Sequence, residues 1–342
     1  MIDSEKTPLI GMTLSQLAEV AAEAGLRPFA ARQMARWLYV KRVTAIDAMT
    51  DLPLQARSLL GERYTVGREE WLARVESVDG TAKYLFRGAG ECNVESVMIP
   101  DGDRATLCVS SQAGCKMGCT FCMTGRQGFH GQLTAAQIIN QVLSVAESER
   151  LTNIVFMGMG EPMDNLPQVL AAIEILTAPW GFAWSPKRIT VSSIGRIDAL
   201  RTLIETTGVH VAISLHSPFA TEREQLMPVE RAYPIKEVLA MLRNYDWTHQ
   251  RRLSIEYIMW GGLNDDPRHA DALVRLLKGL HCRVNLIRFH AIPGSRLRTS
   301  SERNMIAFRD RLNAHGITAT IRASRGEDIM AACGMLAGLR RQ

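Results

Sequence analysis

The chain has 342 residues and a mass of 38.0 kDa, and 46% of its residues are hydrophobic while 22% are charged. This composition is typical of a globular protein, and it excludes a disordered chain, a collagen and a small disulfide-stapled domain. The 40 Lys and Arg residues exceed the 35 Asp and Glu residues, and the net charge of +5 permits a polyanionic partner without requiring one.

Neither membrane segments nor secretory signals are visible along the chain. No apolar run approaches the ~18 residues that suggest a membrane span. Residues 1–11 lack the basic and apolar regions of a secretory signal, so we expect a cytoplasmic protein with no membrane contact. The 7 cysteines are odd in number and clustered, which argues against a disulfide framework.

The first hundred residues predict a helical region followed by antiparallel strands. Apolar periodicity predicts helices at 13–24, 28–40 and 51–62. Strand-like runs follow at 71–86, with a turn at Gly80, and at 94–99. We therefore predict a small N-terminal helical domain at 1–65 and a β-rich connecting segment at 66–103.

From residue 104 onward, strand and helix signals alternate. Short runs rich in Val, Ile, Thr or Leu predict strands at 105–110, 153–157, 188–193, 209–214, 253–258, 283–288 and 318–322. Helical periodicity lies between them at 134–146, 166–176, 234–245, 268–280 and 301–314. Thr134 and Ser301 are predicted to cap the first and last of these helices.

Such alternation predicts an α/β fold with a parallel sheet and helices outside it. The number of units is too small for a closed eight-fold barrel, so an open or partial barrel over 104–325 is favoured, with a C-terminal extension at 326–342. A doubly wound open sheet is the alternative.

Three cysteines share one short loop with the spacing C-x3-C-x2-C: Cys115, Cys119 and Cys122. Gly114 and Gly118 flank them and permit the tight backbone that lets three thiolates converge on one metal centre. A structural zinc site takes four ligands, and a simple electron-transfer [4Fe–4S] centre takes four cysteines. Three thiolates on a four-iron cluster would leave one iron open for a substrate or cofactor.

This loop resembles that of the radical S-adenosylmethionine (SAM) superfamily. The resemblance implies a partial (βα)6 barrel and a [4Fe–4S] cluster whose open iron binds the amino and carboxylate groups of SAM. It also implies that an electron from the cluster cleaves SAM to a 5′-deoxyadenosyl radical.

Polar side chains at the carboxyl ends of the predicted strands are the candidate SAM ligands, because catalytic groups of βα barrels gather there. The segment 158–162, Gly-Met-Gly-Glu-Pro, resembles the superfamily element that holds the SAM amino group. The resemblance assigns SAM binding to Gly160, Glu161, Ser192, Ser214, Leu215, His216 and His290. Related proteins often carry Asn at the position of His290.

Two further cysteines, Cys108 and Cys333, narrow the resemblance to the RlmN/Cfr family of RNA adenosine methyltransferases. The motifs that carry it are residues 104–112, 158–162, 214–216 and 328–334. Cys333 stands between an Ala-Ala pair and a Gly, which we interpret as an uncrowded, flexible setting for a thiol that must move. Cys92 and Cys282 are interpreted as small core residues.

The family resemblance implies a reaction that uses two SAM molecules per turnover. One SAM methylates Cys333, and the radical made from the second takes a hydrogen atom from that methyl group. The resulting carbon radical adds to an adenine carbon, and a disulfide between Cys333 and Cys108 releases the methylated base. The family's general base matches Glu95, with Glu91 as the competing candidate.

The resemblance implies 23S rRNA as substrate, at the peptidyl-transferase-centre adenosine, and tRNA at adenosine 37. It further implies a monomer served by an electron donor such as a flavodoxin or ferredoxin system. A basic stretch with interleaved aromatic residues predicts phosphate contacts and base stacking by the N-terminal domain: Arg27, Phe29, Arg32, Arg36, Trp37, Tyr39, Lys41 and Arg42. Later basic residues are Arg296, Arg298, Arg303, Arg340 and Arg341.

Three alternatives remain at this point. A Cfr-type enzyme would methylate adenine C8 instead of C2, although the segment 160–162 looks more like the C2 type. A zinc-dependent RNA-binding module would need Cys108 or His130 as the fourth ligand. A radical SAM enzyme acting on a protein or small molecule would not depend on Cys333.

Overall fold

A computed structural model describes residues 6–249 and 251–337. The N-terminal region contains a short parallel pair of strands, β1 (Thr7–Pro8) and β2 (Tyr64–Thr65), and three helices: α1 (Leu14–Glu23), α2 (Ala30–Ala35) and α3 (Leu54–Arg63). All three predicted helices are confirmed. The second is shorter than predicted, because α2 passes into a π-helical turn at Arg36–Val40.

Four antiparallel strands follow: β3 (Ala73–Glu76), β4 (Ala82–Arg87), β5 (Asn93–Asp101) and β6 (Arg104–Cys108). The predicted run at 71–86 is therefore a hairpin of two strands. Its turn contains Gly80 at φ +81°, a left-handed conformation that glycine adopts without steric cost.

The parallel part of the sheet starts with β6 and continues through β9 (Asn153–Phe156), β10 (Ile189–Ser193), β11 (His210–Ser214), β12 (Leu253–Met259), β13 (Arg283–Arg288) and β14 (Thr318–Ile321). All the predicted strands after residue 104 are confirmed. A small hairpin of β7 (Gln112–Gly114) and β8 (Phe129–Gln132) follows β6 and holds the short helix α4 (Met123–Arg126).

Helices connect successive parallel strands: α5 (Ala135–Ser144), α6 (Leu166–Thr177), α7 (Ile197–Thr206), α8 (Ala220–Leu226), α9 (Ile235–Leu242), α10 (Pro267–Leu277) and α11 (Glu302–Ala314). Thr134 and Ser301 cap α5 and α11 as predicted, since each hydroxyl accepts a hydrogen bond from a first-turn backbone N–H. Helices α7 and α8 have no counterpart among the predicted elements.

The strand order decides between a partial barrel and a doubly wound sheet. The 10-stranded sheet runs β14-β13-β12-β11-β10-β9-β6-β5-β4-β3, so each parallel strand lies beside its successor in the chain. Parallel crossovers are right-handed, and an order without reversal therefore places every crossover helix on one face of the sheet. A doubly wound sheet needs a reversal of strand order. The partial-barrel prediction is confirmed, and the alternative is excluded.

The C-terminal segment 322–337 turns back from β14 towards the β3–β4 hairpin. There the Asp328 carboxylate accepts from the Ser77 hydroxyl at 2.6 Å, and the Asp79 carboxylate accepts from the Gly326 N–H at 3.0 Å. Further along, the Met123 N–H of α4 donates to the Gly334 carbonyl at 2.8 Å. The segment therefore bridges the hairpin and the cysteine loop.

Within the described ranges, no helix is both long and apolar enough to cross a membrane.

Contact between the N-terminal region and the barrel depends on Gly11. It has φ +82°, and a Cβ there would lie 2.1 Å from the Ala136 nitrogen of α5. We expect Gly11→Ala to lower the free energy of unfolding by about 2–4 kcal/mol, since it combines backbone strain with overpacking. Gly25→Ala is the matched control, because Gly25 has φ +66° with open space around it, and it should cost only about 1 kcal/mol. Urea unfolding followed by tryptophan fluorescence measures both, and equal losses would contradict the docking role of Gly11.

Candidate active site

A cavity opens at the carboxyl ends of the parallel strands. Many of the predicted site residues line it: Cys115, Cys119, Cys122, Gly160, Glu161, Ser192, Ser214, His216 and Cys333. These residues come from the cysteine loop, from the ends of three strands and from the C-terminal segment. The chain thus brings distant sequence positions to one place.

The backbone of the cysteine loop requires glycine. Gly114 has φ +74°, and a Cβ there would lie 1.9 Å from the Gly128 carbonyl oxygen. This close approach lets the Cys115 N–H donate to the Gly128 carbonyl at 2.8 Å. At the other end of the loop, the Cys122 N–H donates to the Cys119 carbonyl at 3.2 Å. Backbone hydrogen bonds therefore fix the conformation of the loop at both ends.

Two of the loop thiols, Cys115 and Cys119, are poorly suited to ionise without a bound cation. Burial raises the pKa of Cys115 to about 12. Burial, together with negative charge on Cys122 and Cys115, raises the pKa of Cys119 well above its ordinary value. Thiolates packed this way need a positively charged group among them, and the iron atoms of a cluster would supply that charge.

The three loop thiols suit a four-iron cluster, which takes one thiolate at each of three irons. Among residues 6–249 and 251–337, no three His, Cys, Asp or Glu side chains are grouped closely enough to bind one metal ion. A four-iron cluster binds each thiolate at a different iron, so its ligands stand around a larger group. The fourth zinc ligands considered above lie elsewhere, since Cys108 ends β6 and His130 lines a separate cavity.

Glu161 presents a buried carboxylate to the cavity wall. Its Oε1 accepts from the Met163 N–H and its Oε2 from the Ile194 N–H, both at 3.1 Å. Burial raises the pKa of Glu161 to about 7 in spite of these hydrogen bonds. The preceding residue, Gly160, has φ +99°. A Cβ at this position would lie 2.5 Å from the Gln112 Cβ, so a larger residue would not fit. The carboxylate is thus held in place and suited to accept from an ammonium group.

His216 is a neutral imidazole in this site. Burial, together with the positive charge of Arg223, lowers its pKa to about 3. Its Nδ1 accepts from the Ile258 N–H at 3.1 Å, so the ring proton lies on Nε2. The ring packs edge-on against Phe121 at 5.1 Å. His216 therefore offers the cavity a hydrogen-bond donor.

Leu215 and His290 are not among the residues that line this cavity. The Leu215 side chain lies in the main hydrophobic core, and only its backbone is polar. The His290 Nε2 lies 3.0 Å from the Ser324 hydroxyl, and its Nδ1 lies 3.6 Å from the Glu327 carboxylate. His290 thus contacts the C-terminal segment, and the structure gives it no place in the wall around Glu161.

Cys333 reaches the cavity while Cys108 lies behind it. The Cys333 side chain is exposed to the cavity, and both thiols are free, so the disulfide implied by the family resemblance is not formed in this structure. Burial, with negative charge on Cys333, raises the pKa of Cys108 to about 12. Burial also raises the pKa of Cys333. The positive charge of Arg322 opposes this rise, because it favours the thiolate.

The setting of Cys333 differs from the flexible one expected from the sequence. Hydrogen bonds at Gly326, Asp328, Gly334 and Leu336 hold the segment on both sides of it. Small neighbours leave space around the thiol, but the backbone that carries it is anchored.

Glu95 lies on β5 and its side chain is buried. Its Oε1 lies 3.1 Å from the Lys83 Nζ, and its Oε2 accepts from the Ala337 N–H at 2.8 Å. Glu91 is exposed in the turn before β5. Burial and contact with the C-terminal segment favour Glu95 over Glu91 as the candidate base.

Two charged residues of the site were missed by the sequence analysis. The Glu256 carboxylate lines the cavity, and its Oε2 is buried without a hydrogen-bond partner. Arg223 is fully buried and donates to the carbonyls of Ile194, Ser214 and Leu215. A charged residue inside the apolar strand 253–259 was the available signal for Glu256, whereas nothing in the sequence distinguishes Arg223.

The basic N-terminal surface exposes fewer aromatic side chains than predicted. Arg27, Arg32, Arg36 and Lys41 are exposed, as is Phe29. Trp37 and Tyr39 are buried in the main hydrophobic core, so the expectation that they stack on bases is wrong. Arg42 donates to the Ser148 hydroxyl at 2.9 Å. Arg296, Arg298 and Arg303 are exposed, while Arg340 and Arg341 lie outside the described residues.

Comparison with known proteins agrees with this geometry. A family model described as "Radical SAM superfamily" matches residues 109–276, and one described as "Ribosomal RNA large subunit methyltransferase N-terminal domain" matches residues 7–66. The crystal structure of a radical SAM methyltransferase from Sphaerobacter thermophilus superposes with a TM-score of 0.90 at 39% identity, covering 96% of this chain and 99% of that one.

Curated relatives match over nearly the full length. The probable dual-specificity RNA methyltransferase RlmN of Bacteroides fragilis is 56% identical, covering 98% of both chains. The dual-specificity RNA methyltransferase RlmN of Syntrophobacter fumaroxidans is 43% identical, covering 95% of this chain and 96% of the relative. The fold and the cysteine loop define a radical SAM protein. Within that superfamily, the chain belongs to the RlmN family.

The cysteine loop is tested by replacing single thiols. We expect Cys119→Ser to lose bound iron and sulfide, together with the brown absorption of the cluster, because three thiolates leave one of four irons open and the loop has no fourth thiol to replace a lost one. Cys282→Ser should keep both, since Cys282 packs against the core away from the cavity. Iron and sulfide analysis after anaerobic reconstitution measures this. A colourless wild-type protein that retains zinc would contradict the assignment.

Proposed function

We propose that this protein methylates C2 of adenine in 23S rRNA, at the peptidyl-transferase-centre adenosine, and of adenosine 37 in tRNA, using two SAM molecules per turnover. The observation that carries the proposal is the placement of Cys333 in the same cavity as Cys115, Cys119 and Cys122. Support also comes from the relatives, which are described as dual-specificity RNA methyltransferases.

The chemistry of adenine explains why such a cavity is needed. C2 lies between two ring nitrogens and is electron-poor, so it cannot attack the methyl group of SAM as a nucleophile. A radical addition avoids this obstacle, but the C2 proton must then be removed by a base. The site therefore needs a methyl carrier, a base and a group that releases the product.

Residues of the cavity wall would hold the cofactors. Cys115, Cys119 and Cys122 would bind the cluster, and Glu161 would accept from the SAM ammonium group. Ser192, Ser214 and the Nε2–H of His216 face the same space and can hydrogen-bond hydroxyl or carboxylate oxygens. When bound, the cluster and SAM would supply the electron, the methyl group and the radical that abstracts hydrogen.

Three side chains of the chain would carry out the transfer. The Cys333 sulfur accepts a methyl group and delivers its carbon to the base from within the cavity. The Glu95 carboxylate accepts the proton of C2. The adduct must also lose one electron, which the bound cluster would take back. The Cys108 sulfur then bonds to the Cys333 sulfur, the bond from the Cys333 sulfur to the transferred carbon breaks, and that carbon takes up the proton of the Cys108 thiol to complete the methyl group. Reduction of this disulfide with two electrons from an external donor restores the two thiols that the structure contains.

The exposed basic face of the N-terminal region would contact RNA phosphates. It consists of Arg27, Arg32, Arg36 and Lys41, and the exposed ring of Phe29 lies beside it. Because the cavity lies below the protein surface, the target adenosine would leave its stack before it reacts.

The identity of the product tests the proposal. We expect RNA treated with the reconstituted enzyme, SAM and a reductant to yield 2-methyladenosine after digestion, measured by mass spectrometry against both methyladenosine standards. Cys333→Ala should yield no methylated RNA while it still cleaves SAM, since the methyl carrier is lost and the cluster site remains. 8-Methyladenosine would favour the Cfr-type alternative. Methyl transfer by Cys333→Ala would refute the carrier.

Substitution of Glu95 and of Glu91 tests which of the two carboxylates acts as the base. Glu95→Gln should reduce methyl transfer to RNA by about 10²–10⁴-fold, the usual contribution of a general base. Methylation of Cys333, seen by intact mass, should persist in this variant because it needs no proton removal from RNA. Glu91→Gln is the matched control, since Glu91 is exposed, and it should behave like wild type. The opposite pattern would assign the base to Glu91.

A further inference from the structure

Lys83 is a charged residue of β4 that the proposed reaction does not yet use. Its side chain is only 17% exposed, and its Nζ lies 3.1 Å from the Glu95 Oε1, whose side chain is 9% exposed. Breaking an ion pair so far removed from solvent is more costly than breaking a surface pair, so this pair holds its two side chains more firmly than a surface pair would.

The same pair reaches the segment that carries Cys333 at two points. The Lys83 Nζ lies 3.5 Å from the Met330 carbonyl oxygen, and the Glu95 Oε2 accepts from the Ala337 N–H at 2.8 Å. Met330 precedes Cys333 and Ala337 follows it. One ion pair therefore contacts both sides of the thiol-bearing loop.

We propose that Lys83 is a positioning residue: it fixes the Glu95 carboxylate and, through Met330 and Ala337, sets where Cys333 stands relative to that base. This inference rests on the proposed function, because it assigns Lys83 to the RNA-transfer half of the reaction. Methylation of Cys333 requires no base at Glu95, so Lys83 matters little for that half.

Other contacts hold the C-terminal segment in place, so the effect of removing Lys83 can be distinguished from loss of the segment's docking. Ser77 and Asp79 of the β3–β4 hairpin hold Asp328 and Gly326 independently of Lys83, and Thr124 donates to the Leu336 carbonyl at 2.7 Å. Removal of the lysine therefore leaves the segment docked at both ends. What it removes is one contact of the Glu95 carboxylate, the one that ties its Oε1 to β4 at 3.1 Å.

The test compares three variants of the full-length, cluster-loaded enzyme. Lys83→Met removes the charge and keeps most of the side-chain volume, Lys83→Arg restores a cation, and Lys236→Met removes an exposed lysine of α9 as the matched control. Two rates are followed separately: methylation of Cys333 by intact mass, and single-turnover transfer from methylated enzyme to RNA. Amide hydrogen exchange of the peptide containing residues 326–337 reports how the segment is held.

Lys83→Met should slow transfer about tenfold or more while Cys333 methylation stays near the wild-type rate, and exchange near residue 337 should increase. Lys83→Arg should recover most of the transfer rate, and Lys236→Met should match wild type. Unchanged transfer in Lys83→Met would overturn the inference, as would an equal loss of both rates or failure of Lys83→Arg to recover. If the wild-type enzyme itself transfers no methyl group to RNA, the proposed function fails, which is a different result.

Discussion

The docking of the C-terminal segment onto the cysteine loop is the contact on which the site depends. Most of the cavity wall is built by the ends of neighbouring strands, which any barrel of this order would bring together. The strand order does not position Cys333, because Cys333 lies well beyond the end of the last strand, β14. The Met123 N–H to Gly334 carbonyl hydrogen bond and the Thr124 hydroxyl to Leu336 carbonyl hydrogen bond place it over the loop. Without them, Cys333 would lie apart from the cysteine loop.

Charge around the cavity is arranged before any cofactor binds. Arg223 is fully buried, pairs with Glu230 and donates to three backbone carbonyls beneath the wall. Burial and the charge of Arg223 keep His216 neutral, and burial raises the pKa of Glu161 to about 7. Groups fixed in this way reorganise little when a charged ligand enters, which is the physical advantage of a preorganised site.

Much of the fold could be predicted from sequence, because strand signals and helical periodicity are local properties. The parallel strands after residue 104 follow from short β-branched runs, and the caps at Thr134 and Ser301 follow from side-chain chemistry. Helix α8 was missed because few apolar residues mark its buried face. The cysteine loop was found for a related reason, since its ligands lie within one short stretch.

Contacts between distant segments were the part that local patterns could not supply. Trp37 and Tyr39 alternate with basic residues and resemble an RNA-binding face, yet packing buries both rings. The pairing of Lys83 with Glu95 depends on the antiparallel register of β4 and β5, which sets Glu95 opposite Leu85 and so within reach of Lys83. Glu256 and Arg223 act through neighbours far away in the chain. Residue type alone does not disclose such partners.

Anchoring on both sides of Cys333 constrains how its sulfur reaches different partners. The reaction that we propose requires the sulfur to meet SAM, adenine and Cys108 in turn, whereas the backbone is tied at Gly326, Asp328, Gly334 and Leu336. Movement is therefore confined to the side chain and to the few residues between these ties. Ala331 and Ala332 place only small side chains there, and Gly334 adopts φ +85°, a left-handed conformation that glycine tolerates without steric cost. The residues between these ties are few and have small side chains. The Cys333 side chain can therefore turn between partners while its backbone stays docked on the cysteine loop.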